Sequence, residues 1–220
     1  LAKKAFLSEY TENGKIKNGT QTAYALAYAV GYLSAKEVRG ELVRLINANG
    51  KKLSTGFIGV RFLLPALCEI GETELAYTII RGQEYPSWGY MLKNGATTVW
   101  ERWNGYTKEN GFETPEMNSF NHYSLGSCTE WLYSFVLGIK LSAESDEITV
   151  SPSFTKGLTY ARGKYASVNG DISVGWRQEN SAFVVEMNAD EKVKFRCDFK
   201  DKEVISYEKR GNTVKAVIKA

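Results

Sequence analysis

Near Leu141 the apolar residues of this chain stop recurring every three or four positions and begin to alternate, so one polypeptide must serve two kinds of packing. From residue 21 to about residue 141 the period is mostly helical. In "QTAYALAYAVGYL", Ala23, Leu26, Ala27 and Val30 recur at helical spacing, and "AKEVRGELVRLINANG" repeats the pattern with Val38, Leu42, Leu45 and Ile46 before the stop signal Asn49-Gly50. "IGVRFLLPALCEIG" and "TELAYTIIRGQ" predict two further helices joined at Gly71, and residues 1–8 the end of an earlier one. "NHYSLGSCTEWLYSFVLGI" predicts a last long helix with Leu125, Cys128, Leu132 and Phe135 or Val136 on its buried stripe. Beyond Leu141, "EITVSPS", "YASVNGDISVGWRQ", "AFVVEMN", "VKFRCDF", "EVISYEK" and "TVKAVIKA" are short alternating runs, the pattern of a small antiparallel β-sandwich. The boundary is expected at "LSAESDE", residues 141–146, giving a helical part over 1–141 and a β-sandwich domain over 142–220. The helical part is rich in small residues and apolar faces that need neighbours on more than one side, so the chain reads as the second part of a larger helical domain.

Composition removes several function classes. The 28 basic and 25 acidic residues are interspersed, without the Lys/Arg stripe that phosphate neutralisation requires, so no nucleic-acid partner is expected. No apolar run approaches the roughly 20 residues of a membrane helix, and the charges in "LAKKAFLSEY" break what would be a signal-peptide core. No membrane partner is expected, and both a cytoplasmic and an exported parent stay open. Cys68, Cys128 and Cys197 are odd in number and none lies in a CxxC pair, and there is one histidine. That argues against a disulfide framework and a zinc site, and neither metal nor cofactor is expected.

Two stretches interrupt the helical pattern. "SWGYML" and "TTVWERW" are rich in β-branched and aromatic residues with "KNGA" between them, which predicts a hairpin. In an extended "TTVWERW", Glu101 and Trp103 share one face and Trp100 the other. A carboxylate beside an indole plane suits a sugar site, because the ring stacks on the C–H face of a pyranose while the carboxylate activates water. The plainer alternative has both tryptophans in the core and Glu101 paired with Arg102. Residues 104–120 read as a long loop carrying Glu109, Glu113 and Glu116, and long loops in compact domains concentrate function. Asn118, Ser119 or Asn121 then caps the last helix, with His122 and Tyr123 in its first turn, where the imidazole either meets a sugar hydroxyl or is satisfied within the fold. In "STGFIGVRFLLPALCEIG", Gly56 and Gly59 flank an aromatic ahead of a helix. It lacks the Gly-Lys-Ser/Thr ending of a phosphate loop and reads as a tight turn.

"TQTAYALAYAVGYL", "LSTGFIGVRFLLPALCEIGETELAY", "YPSWGYMLKNGATTVWERWNG" and "MNSFNHYSLGSCTEWLYSFVLGI" occur in an order and spacing that resemble the C-terminal part of the bacterial α-L-rhamnosidases, glycoside hydrolase family seventy-eight. The resemblance continues through "GLTYARGKYASVNGDISVGW". It implies a mainly α chain plus a β domain: the second half of an (α/α)6 barrel followed by a C-terminal antiparallel β-sandwich. It further implies a rhamnose-containing carbohydrate as substrate, hydrolysis with inversion, Glu101 as the general base, His122 as a sugar contact, and Trp100 and Trp103 as pocket lining. An inverting glycosidase also needs a general acid. In this family the acid lies in an upstream acidic, tryptophan-containing segment that has no counterpart here, so the N-terminal part of the barrel is an expected partner and the chain alone is expected to be inactive. Two alternatives stand beside this reading: a non-catalytic carbohydrate-binding protein, and another (α/α)6 barrel sugar hydrolase or lyase. For the sandwich the choice is between a structural cap and a sugar-binding module using Trp176 and Tyr165. The alternation of Trp176 with Ile172 and Val174 favours the cap.

Overall fold

The computed structural model describes residues 1–114, 116, 118–142, 146–199 and 201–220. The chain forms two compact units, Leu1–Cys128 and Thr129–Ala220. Of the expected boundary at residues 141–146, residues 143–145 lie outside the described residues.

The first unit opens with α1 (Ala2–Tyr10) and a two-stranded ribbon, β1 (Thr11–Glu12) and β2 (Lys15–Ile16). Then come α2 (Gln21–Ala29), α3 (Ala35–Ala48), α4 (Val60–Glu69) and α5 (Thr73–Ile80) at the positions the periodicity predicts. The local chemistry that starts and stops them is explicit. The Thr20 side chain accepts a hydrogen bond from the Ala23 N–H at the head of α2. Ser34 and Glu37 form a capping box at the head of α3, and the bonds from Ser34 hold the Glu37 carboxyl below its ordinary pKa. Gly71, at φ +85°, makes the left-handed step between α4 and α5. Ala25 and Ala76, both fully buried, let the helices approach around Tyr24, Leu42, Leu63, Leu67 and Tyr77.

Two local expectations are corrected. "SWGYML" is not a strand: Trp88–Lys93 is a helix, α6, because the Ser87 hydroxyl caps it by accepting from the Tyr90 N–H at 2.9 Å. "TTVWERW" is irregular, so the predicted hairpin and the face-sharing argument built on it both fall. The last long helix is instead broken into α7 (Tyr123–Gly126), α8 (Cys128–Trp131) and a π-helical turn, Leu132–Val136. The Ser127 hydroxyl donates back to the Ser124 carbonyl at 2.6 Å and interrupts the ladder. Trp131 is buried where Leu132 was expected, and Leu132 is exposed.

The second unit carries β5 (Ile139–Lys140), β6 (Glu147–Val150), β7 (Tyr160–Ser167), β8 (Gly170–Glu179), β9 (Ala182–Ala189), β10 (Lys194–Cys197), β11 (Val204–Arg210) and β12 (Thr213–Lys219). Five of them form an antiparallel sheet ordered β11-β12-β9-β8-β7, and three a smaller sheet ordered β10-β6-β5. The expectation of wholly antiparallel pairing is corrected at one place: β10 runs parallel to β6, with Phe195 opposite Ile148. After β9 the chain crosses to the other sheet and enters it alongside β6, in the same direction. Ile139, Ile148 and Val150 from the small sheet meet Ile172, Val174 and Met187 from the large one in a single core. Trp176 points inward, 2% exposed, and its indole N–H donates to the Val136 carbonyl at 2.7 Å. It cannot serve as a surface platform. Among the described residues no helix is long and apolar enough to cross a membrane.

Gly138 sets the entry into β5. Its φ is +77°, and a Cβ there would fall on the main chain of Ser151 and Pro152. Gly211 has φ +56° but open space around it. Gly211→Ala should therefore cost about 1 kcal/mol, from backbone conformation alone. Gly138→Ala should cost a further ~1–3 kcal/mol from overlap. Urea unfolding followed by circular dichroism compares them, and equal costs would contradict the packing described at Gly138.

Candidate active site

Glu101 lies in the irregular segment after α6, and main-chain pairing brings that segment to the residues before α7. The Glu101 N–H donates to the Ser119 carbonyl at 2.9 Å and the His122 N–H to the Val99 carbonyl at 2.9 Å. The Thr98 hydroxyl donates to the Phe120 carbonyl. Glu101 and His122, 21 positions apart in sequence, are thereby carried by two paired stretches of chain.

The partners of the carboxylate are informative. Glu101 is half-buried, and its Oε2 accepts a hydrogen bond from the Ser119 N–H at 2.9 Å. A main-chain donor to one carboxylate oxygen fixes the rotamer of the side chain. Arg102, the ion-pair partner of the plainer alternative, points its guanidinium at the Thr114 hydroxyl, 3.1 Å away. Sequence reasoning missed Ser119 as the carboxylate's partner, because a backbone N–H leaves no residue signature.

His122 is itself the cap of α7, not part of its first turn as expected. Its Nδ1 accepts from the Ser124 N–H at 3.3 Å. A neutral imidazole accepting at Nδ1 keeps its hydrogen on Nε2, which is then the atom that can donate to a hydroxyl oxygen. The ring is half-buried and stacks on Tyr123, with centroids 5.1 Å apart.

The two tryptophans go to different aromatic clusters. Trp100, 4% exposed, packs edge-on against Phe120 and Tyr106. Trp103, 8% exposed, packs at right angles to Trp88, and its N–H donates to the Thr55 carbonyl at 2.8 Å. Both support the Glu101 segment from the protein side and offer little surface. The Trp88 N–H in turn donates to the Leu125 carbonyl at 2.8 Å, tying α6 to α7.

The long loop is more ordered than expected. Within it, β3 (Tyr106–Thr107) and β4 (Gly111–Phe112) form a small antiparallel hairpin, with Gly111 at φ +75°. The Asn118 amide closes its base by donating to the Gly105 carbonyl at 2.8 Å and to the Glu113 carbonyl at 2.6 Å, while its own Oδ1 is buried and has no partner among the described residues. Of the loop carboxylates, Glu109 and Glu116 are exposed and Glu113 is half-buried. Desolvation, then the Glu109 carboxylate, raises the pKa of Tyr90 above that of a free phenol.

This geometry sits in a chain whose relatives are known. Residues 1–136 match the bacterial alpha-L-rhamnosidase 6 hairpin glycosidase domain, and residues 146–200 match the bacterial alpha-L-rhamnosidase C-terminal domain. The chain belongs to the bacterial α-L-rhamnosidase family. Its curated relatives include α-L-rhamnosidases of Streptomyces avermitilis, 40% identical over 83% of this chain, and of Alteromonas sp., 39% identical over 84%. The chain spans only 18% and 21% of those proteins, about a fifth of their length. Among solved structures, the Streptomyces avermitilis α-L-rhamnosidase complexed with L-rhamnose superposes with a TM-score of 0.84 at 33% identity, covering 99% of this chain and 22% of that one. The Aspergillus terreus enzyme gives 0.80 at 29% identity, covering 97% and 25%.

The Asn118 clamp yields a test. Asn118→Ala removes two donors from main-chain carbonyls and should lower stability by about 1–3 kcal/mol. Thermal unfolding reads the loss, and limited proteolysis should cut the 106–112 hairpin faster in the variant. An unchanged cleavage rate would show that the hairpin does not depend on Asn118.

Proposed function

We propose that this chain is the C-terminal portion of an inverting α-L-rhamnosidase: residues 1–141 supply part of an (α/α)6 catalytic barrel and residues 142–220 a β-sandwich. Its substrate is a terminal α-L-rhamnose on a glycan or glycoside. The observation that carries the reading is the Glu101 carboxylate, held at Oε2 by the Ser119 N–H within a segment paired to that of the only histidine.

In this reading Glu101 is the general base. With Oε2 occupied, Oε1 is the oxygen left to take a proton from water. The water oxygen attacks the anomeric carbon on the face opposite the leaving group, the C1–O bond breaks, and the configuration inverts. The departing oxygen needs a proton from a general acid roughly 6.5–9.5 Å from the base, which the N-terminal part of the parent would supply. His122 donates from Nε2 to a sugar hydroxyl. Trp100 and Trp103 form the packed wall that keeps Glu101 in place.

The expected outcomes are specific. In the complete parent enzyme, Glu101→Gln should lower turnover of an aryl α-L-rhamnoside by at least about 10²-fold, the scale of one acid or base group, while L-rhamnose still binds. NMR of the first-formed sugar should show the β anomer. The 220-residue chain alone should be inactive. Turnover by the chain alone would place the acid within it, and an undiminished Glu101→Gln enzyme would exclude Glu101 as the base.

A further inference from the structure

The "STGFIG" segment, which the sequence reads as a tight turn, is built as a rigid mount for an exposed ring. Behind it, the Gln21 side chain is 1% exposed and spans the loop's base, donating to the Lys52 carbonyl at 3.1 Å and accepting from the Ser54 N–H at 2.8 Å. Further along the loop, the Thr55 carbonyl accepts from the Trp103 indole. Thr55 itself is 2% exposed. The Val60 N–H closes the turn on the Gly56 carbonyl at 3.0 Å, and a Cβ on Gly59 would overlap Thr22, so the turn sits hard against α2. Yet Phe57, at the tip of this anchored turn, is 55% exposed. Its ring centre lies 6.3 Å from that of His122, tilted by 58°.

Single exposed apolar residues are ordinary. This one differs in its mount and its neighbour. Its loop is fixed by buried side-chain hydrogen bonds, so little entropy is lost when a ligand covers the ring. It stands beside the imidazole whose Nε2 is free to donate. An exposed aromatic next to a hydroxyl-seeking donor matches the two-sided chemistry of a sugar, whose C–H face is apolar and whose rim is polar. L-Rhamnose is a deoxysugar whose methyl group adds to that apolar side.

We propose that Phe57 is a substrate-binding residue that packs on the apolar side of the rhamnosyl unit contacted by His122; this rests on the rhamnosidase reading above. Phe57 acts on binding of the sugar itself, not of the leaving group, and takes no part in proton transfer. Free L-rhamnose should therefore feel its loss as much as a rhamnoside does.

The test uses the complete parent enzyme, with free L-rhamnose as competitive inhibitor and an aryl α-L-rhamnoside as substrate. Covering half a phenylalanine side chain is worth roughly a tenfold change in affinity. Phe57→Ala should raise the inhibition constant of L-rhamnose and the KM about tenfold each, with kcat changed less and the melting temperature unmoved. Phe57→Trp should restore affinity and Phe57→Leu should not, since the proposal requires a ring. An unchanged inhibition constant in Phe57→Ala overturns the proposal. So does full rescue by leucine, or a lowered melting temperature without weaker L-rhamnose binding, either of which makes the ring a packing element. The outcome is separable from the identity of the base. If Glu101→Gln retains full turnover while Phe57→Ala weakens L-rhamnose, the base assignment fails and Phe57 stands.

Discussion

Pairing between the Val99–Glu101 stretch and the Ser119–His122 stretch is the constraint on which the candidate site depends. Neither stretch is regular structure, so neither has a helix or sheet ladder to hold it. Four main-chain and side-chain bonds do that work instead, and one of them ends on the carboxylate. Irregular backbone held in this way can aim side chains that a helix would splay at fixed angles.

Around that pairing the molecule spends its largest side chains. Trp100 and Trp103 are buried and Trp88 is half-buried, and the indole N–H groups of Trp88 and Trp103 each reach a carbonyl of a different segment. Trp103 joins the Glu101 segment to the loop that carries Phe57, while Trp88 joins α6 to α7. The indole suits this task because one residue supplies both a broad apolar body and a single directed donor. These residues work as framework, whereas the groups left with free capacity are smaller: one carboxylate oxygen, one imidazole nitrogen and one phenyl face.

Much of this was legible from the residues. The helices over 21–48 and 60–80 follow from periodicity and their stop signals, and the strands beyond Leu141 from alternation. The failures share a cause. "SWGYML" has the aromatic look of a strand, but Ser87 caps it as a helix and Trp88 finds a carbonyl 37 residues away. The last helix breaks where a serine hydroxyl competes with the ladder, which a hydrophobic stripe cannot register. At the site, Glu101 and His122 were visible as residue types, whereas Ser119 acts through its peptide group and Phe57 is distinguished only by the buried glutamine and tryptophan that brace its loop. Long-range hydrogen bonds of this kind have no local pattern.

The hairpin of residues 106–112 hangs outside the knot that Asn118 ties between Gly105 and Glu113. Lengthening its tip, at residues 108–110, would cost little closure entropy and would leave the knot and the Glu101 segment where they are. Descendants of this chain can therefore lengthen or shorten that arm without disturbing the carboxylate, so that the reach of the arm and the placement of the Glu101 side chain are free to evolve separately.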